Sequence, residues 1–314
     1  MSEEVKTIKK LRESLIDQLD PELFSPDKYV LVTLTIHLAI YCAFFYFAFK
    51  YGGLFYLLVI PMGILIQILS TINHEILHSN VIKSQRWIYI VTIPAMFLNI
   101  TSPHFWTSTH LHHHRYLDIW TFKKSSTPRK EKELKTYSYL RKKLFFFEFF
   151  FYNSIQYRIR QITFLKNHGL KAVIKDANLS WITIELISIY AVKIIIFYYL
   201  GLTQWLLLEL VPFIIYSFIS SCFYVTSHSS GLGHLEAKSI RIYSVRTNPF
   251  VDKLFLHLGY HVEHHLFPDI PQKHMPLISN FLKGKSLYEH HKLTHYEAIK
   301  KTYLYTFNKK FSQT

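Results

Sequence analysis

Four runs of about 20 mostly apolar residues, at roughly 29–49, 54–73, 181–200 and 205–226, constrain this chain more than any other feature. A helix rises about 1.5 Å per residue, so each run can cross a hydrocarbon core about 30 Å thick. Only Lys50-Tyr51-Gly52-Gly53 separates the first pair and only Gly201-Leu202-Thr203-Gln204 the second. The runs therefore read as two tight helical hairpins. Trp181 and Trp205 stand at run ends, where indole rings anchor in the membrane interface. Half of the 314 residues are hydrophobic and 17% are aromatic, more than a soluble globule ordinarily carries. The expected fold class is all-α and integral to a membrane.

The chain also holds 36 Lys plus Arg and a formal charge of +15. Residues 79–178 carry 17 of these cations, whereas the hairpin turns carry only Lys50. Cations so placed mark cytosolic loops rather than a nucleic-acid surface. The long loop and both termini are thus expected in the cytosol, with both hairpins pointing away from it. Trp87 to Leu98, interrupted by Pro94, and Leu144 to Tyr157, containing Glu148, are too short to span. Both are expected to be helices lying in the interface. Residues 1–28, with Glu3, Glu4, Lys6, Lys9 and Lys10 before Pro21, read as a cytosolic amphipathic lead-in lacking the apolar core of a cleaved signal peptide. Residues 29–276 form the membrane domain and 277–314 a cytosolic tail. Glu185, Lys193 and Glu209 fall within the runs, where charge is costly. Lys193 and Glu209 are expected near the outer ends, reaching towards water, and Glu185 within a turn or two of the cytosolic end.

Histidine is the second unusual feature, with 19 copies. His74-Glu75-Ile76-Leu77-His78 closes the second run, His110-Leu111-His112-His113-His114 lies in the loop, and His261-Val262-Glu263-His264-His265 follows the fourth run. Residues three and four apart share a helix face, so each cluster turns its outer imidazoles one way. Cys42 and Cys222, both inside apolar runs, are the only cysteines. That excludes a disulfide framework, a thiolate zinc site and an iron–sulfur cluster. Any metal takes nitrogen or oxygen ligands, and eight imidazoles exceed the four that one zinc needs. Two metals are implied, and iron suits imidazole and O2 chemistry. Glu75 and Glu263 fit groups that orient imidazole N–H bonds. Arg246, Asn248 and Asp252 either join that layer or open a helix. His257 is expected to form hydrogen bonds rather than ligate metal, and His290, His291 and His295 to be solvated.

The strings HEILH, HLHHH and HVEHHLFPDIP resemble the three histidine boxes of the membrane fatty acid desaturase superfamily, in its acyl-lipid branch, from about His74 to Pro276. The most specific piece runs from Gly259 to Pro271. The resemblance implies four transmembrane helices in two hairpins, interfacial helices, and a cytosolic helical cap carrying a di-metal site. It implies two iron ions held by His74, His78, His110, His113, His114, His261, His264 and His265. Members also use a histidine just after the fourth span. His228 stands there, with His234 as the competing choice. His112 falls outside the HxxHH spacing. The implied reaction uses O2 and two electrons to remove hydrogens from adjacent methylenes, leaving a cis double bond in an acyl lipid or acyl thioester. The chain would lie in a narrow apolar tunnel that selects one methylene pair.

No heme-binding His-Pro-Gly-Gly segment is present. The third box begins with His261, where fused enzymes often carry Gln. A separate ferredoxin or cytochrome b5 is therefore expected to dock on the basic face. A bacterial inner membrane and an endoplasmic reticulum are both compatible. A hydroxylase or carotenoid ketolase of the same superfamily would use the same ligands. A non-enzymatic metal-binding membrane protein would need an array of ionisable groups through the spans, which offer only His37, Glu185, Lys193 and Glu209.

Overall fold

The computed structural model describes residues 3–78, 81–116, 158, 178–227, 242–284 and 292–300. Leu144 to Tyr157 lie outside them. Helix α1 spans Glu3–Leu15, α2 Tyr29–Tyr51 and α3 Val59–His78, the last preceded by a 3-10 segment, Gly53–Leu58. Then come α4 (Gln85–Leu98) and α5 (Pro103–Tyr116). Helix α6 (Leu179–Trp205) is followed by a π-helical turn, Leu206–Leu210, and α7 (Val211–Ser227). The remaining elements are β1 (Ser244–Arg246), α8 (Pro249–Leu254), α9 (His261–Leu266), α10 (Met275–Phe281) and β2 (Lys292–Thr294). The all-α expectation holds apart from β1 and β2, which pair in parallel with Val245 opposite Leu293.

Both hairpins form. Gly52 and Gly53 take φ of 58° and 53°, left-handed values that cost glycine least, and turn the chain from α2 into α3. The stretch Leu179–Tyr224 is apolar over 46 residues, which as one straight helix would be about 69 Å long. It doubles back instead. Gly201 takes φ 70° and ψ 170° inside the helical run, and Lys193 Nζ meets Glu209 Oε2 at 2.5 Å. Sixteen residues would separate these groups by about 24 Å in a continuous helix. The ion pair corrects the expectation that both side chains reach for water: they are 11% and 12% exposed, and Lys193 lies 4.3 Å from the Phe97 ring centre. Pairing offsets part of the cost of placing either charge among apolar helices.

Helix α3 is the inner member of the bundle. It buries Met62, Ile66, Leu69, Ile72 and Ile76 against α2, α4 and α7, whereas α2 turns Val32, Ile36, Ile40 and Phe47 outward. Gly63 permits the closest approach, since a Cβ there would lie 2.6 Å from Ile215 Cβ and 2.8 Å from Pro212 O.

Trp87 to Leu98 is helical, as expected, and continues into a second helix. Helix α4 bends by 101° into Pro103–His114, a pair with the geometry of a broken span or re-entrant loop. The sharp corner sits at Ile100, with φ 54°. Three described helices are long and apolar enough to cross a membrane, or up to four if this bent pair counts as one.

The other large core joins the lead-in to the last histidine cluster. Leu15 and Leu19 pack with Val262, Leu266, Phe267, Ile270, Met275 and Ile278, and Arg12 reaches Asp269 at 2.6 Å. His295, expected to be solvated, lies against Phe223 with ring centres 5.2 Å apart. His290 and His291 lie outside the described residues.

Candidate metal centre

Three helices bring the histidines together. His74 and His78 sit at the end of α3, His110, His113 and His114 on α5, and His261, His264 and His265 on α9. The nitrogens of His74, His78, His110, His114 and His264 form one group, and those of His113, His261 and His265 another, with every pair inside a group within 4.8 Å. Eight of the nine expected ligand positions are thus assembled. His228 and its competitor His234 lie outside the described residues. His112 belongs to neither group.

Box boundaries do not coincide with the groups. On α5, His110 and His114 face one group and His113 the other. On α9, His264 goes to the first group and His261 and His265 to the second. Each split follows from the helix: positions four apart stack on one face, and the intervening position is rotated away.

The nitrogens that converge are Nε2 atoms. Separations are 2.9 Å for His78 and His110, 3.0 Å for His110 and His114, and 3.2 Å for His114 and His264. In the second group they are 3.1 Å for His113 and His265 and 3.0 Å for His261 and His265. Imidazole–metal bonds of about 2.1 Å place ligands at right angles about 3.0 Å apart. A neutral imidazole brings one N–H, so five nitrogens in one small space cannot all satisfy one another. A shared cation would take their lone pairs. The donor set therefore fits metal ions. Burial first, and neighbouring imidazoles second, hold His261 and His264 well below the ordinary histidine pKa, so both are neutral and able to ligate at neutral pH.

A layer of polar groups aims these rings. The Gln272 amide lies 2.9 Å from His74 Nδ1, and its backbone N–H donates to Glu75 Oε2 at 3.1 Å. With His74 Nε2 facing the group, its proton rests on Nδ1. The Gln272 amide oxygen then accepts it, the two ends of an amide being interchangeable in assignment. Glu75 thus acts on His74 through Gln272. Glu263, fully buried, accepts hydrogen bonds from Ser244 Oγ and, at 3.1 Å, from Arg246. Ser244 Oγ also accepts from Val262 N at 2.9 Å. Arg246 therefore belongs to the supporting layer, and Asn248 is a helix cap, accepting from Val251 N. Asp252 accepts from Thr247 Oγ1. His257 joins neither group and lies edge-on to Tyr260.

Glu185, near the start of α6, has partners on α5. Its carboxylate accepts from Ser102 Oγ at 2.5 Å, from His104 N at 3.1 Å and from His104 Nδ1 at 2.5 Å. Ser102 Oγ in turn accepts from Phe105 N. Glu185 therefore closes the N-terminus of α5, where a carboxylate also meets the positive end of the helix dipole. Tyr89 stacks on His104 at 3.6 Å. Trp106 stacks on His110, with rings 5.1 Å apart and 6° from parallel. Sequence reasoning passed over Gln272, Ser244, His104 and Ser102. Ser102-Pro103 was the readable signal, a cap residue followed by proline at the first helical position.

A cavity of about 180 Å³ adjoins the centre, reaching His74, His110, His113 and His261. Its wall is mainly apolar, with Phe223 and Leu258, and also carries Gln67, Thr71, Asn99, Thr109 and Ser221.

Among protein-family comparisons, the one described as Fatty acid desaturase matches residues 53–297. No curated protein matches the chain.

Proposed function

The chain belongs to the fatty acid desaturase family, and on that premise we propose that it introduces a cis double bond into the acyl chain of a lipid or thioester at a histidine-held di-iron centre. One observation carries the reading: eight imidazoles from three helices converge into two adjacent groups beside a cavity. His74, His78, His110, His114 and His264 would hold one iron, and His113, His261 and His265 the other, with His228 as the further ligand in sequence. When bound, the pair of irons supplies the O2-dependent oxidising chemistry that removes hydrogen from unactivated methylenes.

The protein's own groups prepare that chemistry. Gln272 and Glu75 fix the tautomer of His74, Glu263 and Arg246 brace α9, and Glu185 sets the position of α5. The cavity wall holds the chain so that one methylene pair lies next to the centre. Electrons come from a separate ferredoxin or cytochrome b5, whose acidic surface would be complemented by the 17 cations that the sequence carries between residues 79 and 178. The same cations orient the centre and both termini to the cytosol, in a bacterial inner membrane or an endoplasmic reticulum. A transport role gains no support among the described residues: His37 bonds to Thr33 O and Lys193 to Glu209.

The test is expression in a desaturase-deficient host, with mass spectrometry of total lipids for the wild type and His264→Ala. New unsaturated chains that vanish in the variant are expected. Hydroxylated or ketolated products would transfer the assignment to the oxygen-inserting branch of the superfamily. No change in any lipid, with both metals and a donor present, would refute it.

A further inference from the structure

Helix α9, which carries His261, His264 and His265, is six residues long, and Tyr260 gives it no side-chain cap. A helix of under two turns has too few internal hydrogen bonds to hold itself. What packs on α9 therefore sets where its imidazoles stand. Ser244 and Arg246 brace one side of it through Glu263. At about 100° per residue, Val262 and Leu266 lie on a further face, separate from the histidines, and both are buried. They share one core with Met275 and Ile278 of α10 and with Leu15 and Leu19 of the lead-in.

The lead-in is fastened on either side of that core. Arg12 meets Asp269, three residues beyond α9, at 2.6 Å. Asp27 accepts from Tyr29 N at 3.2 Å, at the start of α2, and meets Lys273 Nζ at 3.2 Å. Lys273 adjoins Gln272, whose amide lies on His74. Both ion pairs are partly exposed, so they add little to stability and chiefly fix where the leucines sit along α9. The buried leucines carry the contact, because removing apolar area from water is the larger effect.

We infer that Leu15 and Leu19, set in register by Arg12, are positioning residues for the metal centre: residues 12–27 form a strap that holds α9 where its imidazoles meet those of α5. The inference rests on the metal-centre part of the reading above and not on the reaction. The two histidine groups depend on the strap unequally. Helix α9 supplies His264 alone to the five-histidine group but both His261 and His265 to the group completed by His113. A shift of α9 thus strips most of the second group and leaves four histidines of the first in place.

The experiment follows iron release from full-length protein into excess EDTA, with iron-57 Mössbauer spectra resolving the two sites, for wild type, Leu19→Ala and Arg12→Glu. Leu19→Ala should release iron from the three-histidine site about tenfold faster, with less than about a threefold change at the other, as for loss of a group that orients ligands. Leu208→Ala, which hollows the separate core formed with Ala48 and Val59, is the control for general destabilisation. It should lower the melting temperature without preference between the sites. Arg12→Glu should shift release in the same direction as Leu19→Ala, and Arg12→Glu with Asp269→Arg should restore it. The Arg12 pair decides if Leu19→Ala fails to fold. Equal acceleration at both sites in Leu19→Ala, the same preference in Leu208→Ala, or no recovery in the double variant overturns the strap. Hydrogen exchange of the metal-free protein keeps this apart from the metal reading. Amides of residues 261–266 should exchange about tenfold faster in Leu19→Ala, with those of α5 unchanged; wild-type exchange there overturns the strap. A wild type that binds no iron yet shows this exchange pattern refutes the metal centre and leaves only the strap's hold on α9.

Discussion

Removing the Glu185 carboxylate should loosen α5 and, through it, both histidine groups. Three donors end on this side chain: Ser102 Oγ, His104 N and His104 Nδ1. Glu185 and His104 side chains are each only 13% exposed. Hydrogen bonds to a charged group contribute about 1.5–3 kcal/mol each, and a carboxylate at a helix N-terminus about 0.3–1 kcal/mol. Contributions within one network do not add. Glu185→Gln retains one acceptor but turns an NH2 towards a donor, and should cost about 2–3 kcal/mol. Glu185→Leu leaves all three donors without an acceptor and should cost about 3–5 kcal/mol. The assay is thermal unfolding of the metal-free protein in detergent, with metal content of the reloaded protein measured in parallel. Both variants should melt earlier, in the order Leu before Gln, and Glu185→Leu should load less metal. Adding Ser102→Ala to Glu185→Leu should cost less than Ser102→Ala costs alone. If Glu185→Leu stays within about 0.5 kcal/mol of wild type and loads fully, the carboxylate does not anchor α5.

Gln272→Leu should weaken metal binding about 10- to 100-fold by leaving His74 Nδ1 without its acceptor, while Gln272→Glu restores most of it; wild-type metal affinity in the leucine variant would contradict the role. Acid should destabilise the metal-free protein. His261 and His264 have folded pKa values far below the unfolded value of about 6.5, so the unfolded chain alone takes up their protons as pH falls below about 6.5. Stability should be flat above that point and drop by up to about 1.4 kcal/mol per pH unit per histidine below it. Equal melting at pH of about 5.5 and 7.5 would contradict the burial of neutral rings. Gly63→Val should cost at least about 1–3 kcal/mol by overpacking α3 against Pro212 and Ile215, read as a lowered melting temperature; an unchanged one would mean that the α3–α7 contact is looser than described.

The spans and histidine clusters were legible because each rests on a short-range regularity. Apolar length marks a membrane helix, and HxxxH marks a shared face. The sorting of ligands was not legible in the same way. His113 lies between His110 and His114 in the chain yet belongs with His261 and His265, which only the packing of α5 against α9 decides. The α4–α5 corner escaped because Pro94 and Pro103 mark possible breaks but not the 101° between the helices. The partners of Glu185, Lys193 and Glu209 were not legible for a related reason. A charge inside an apolar run shows its cost locally, while the partner that offsets it stands elsewhere, on α5 for Glu185 and beyond the Gly201 reversal for Lys193. Gln272 directly follows a recognisable string, but its role depends on α3 approaching from almost 200 residues away.

The most direct test of the account is the number of metal ions per chain in purified protein and in three single variants, by elemental analysis with Mössbauer spectroscopy of iron-57-loaded samples. Wild type should hold two irons in unlike environments. His78→Ala should deplete the site of the five-histidine group and His261→Ala the other, each leaving a different remaining signal, while His112→Ala keeps both. A single iron per chain in the wild type, or the same residual signal in His78→Ala and His261→Ala, would contradict two adjacent centres built from these eight histidines.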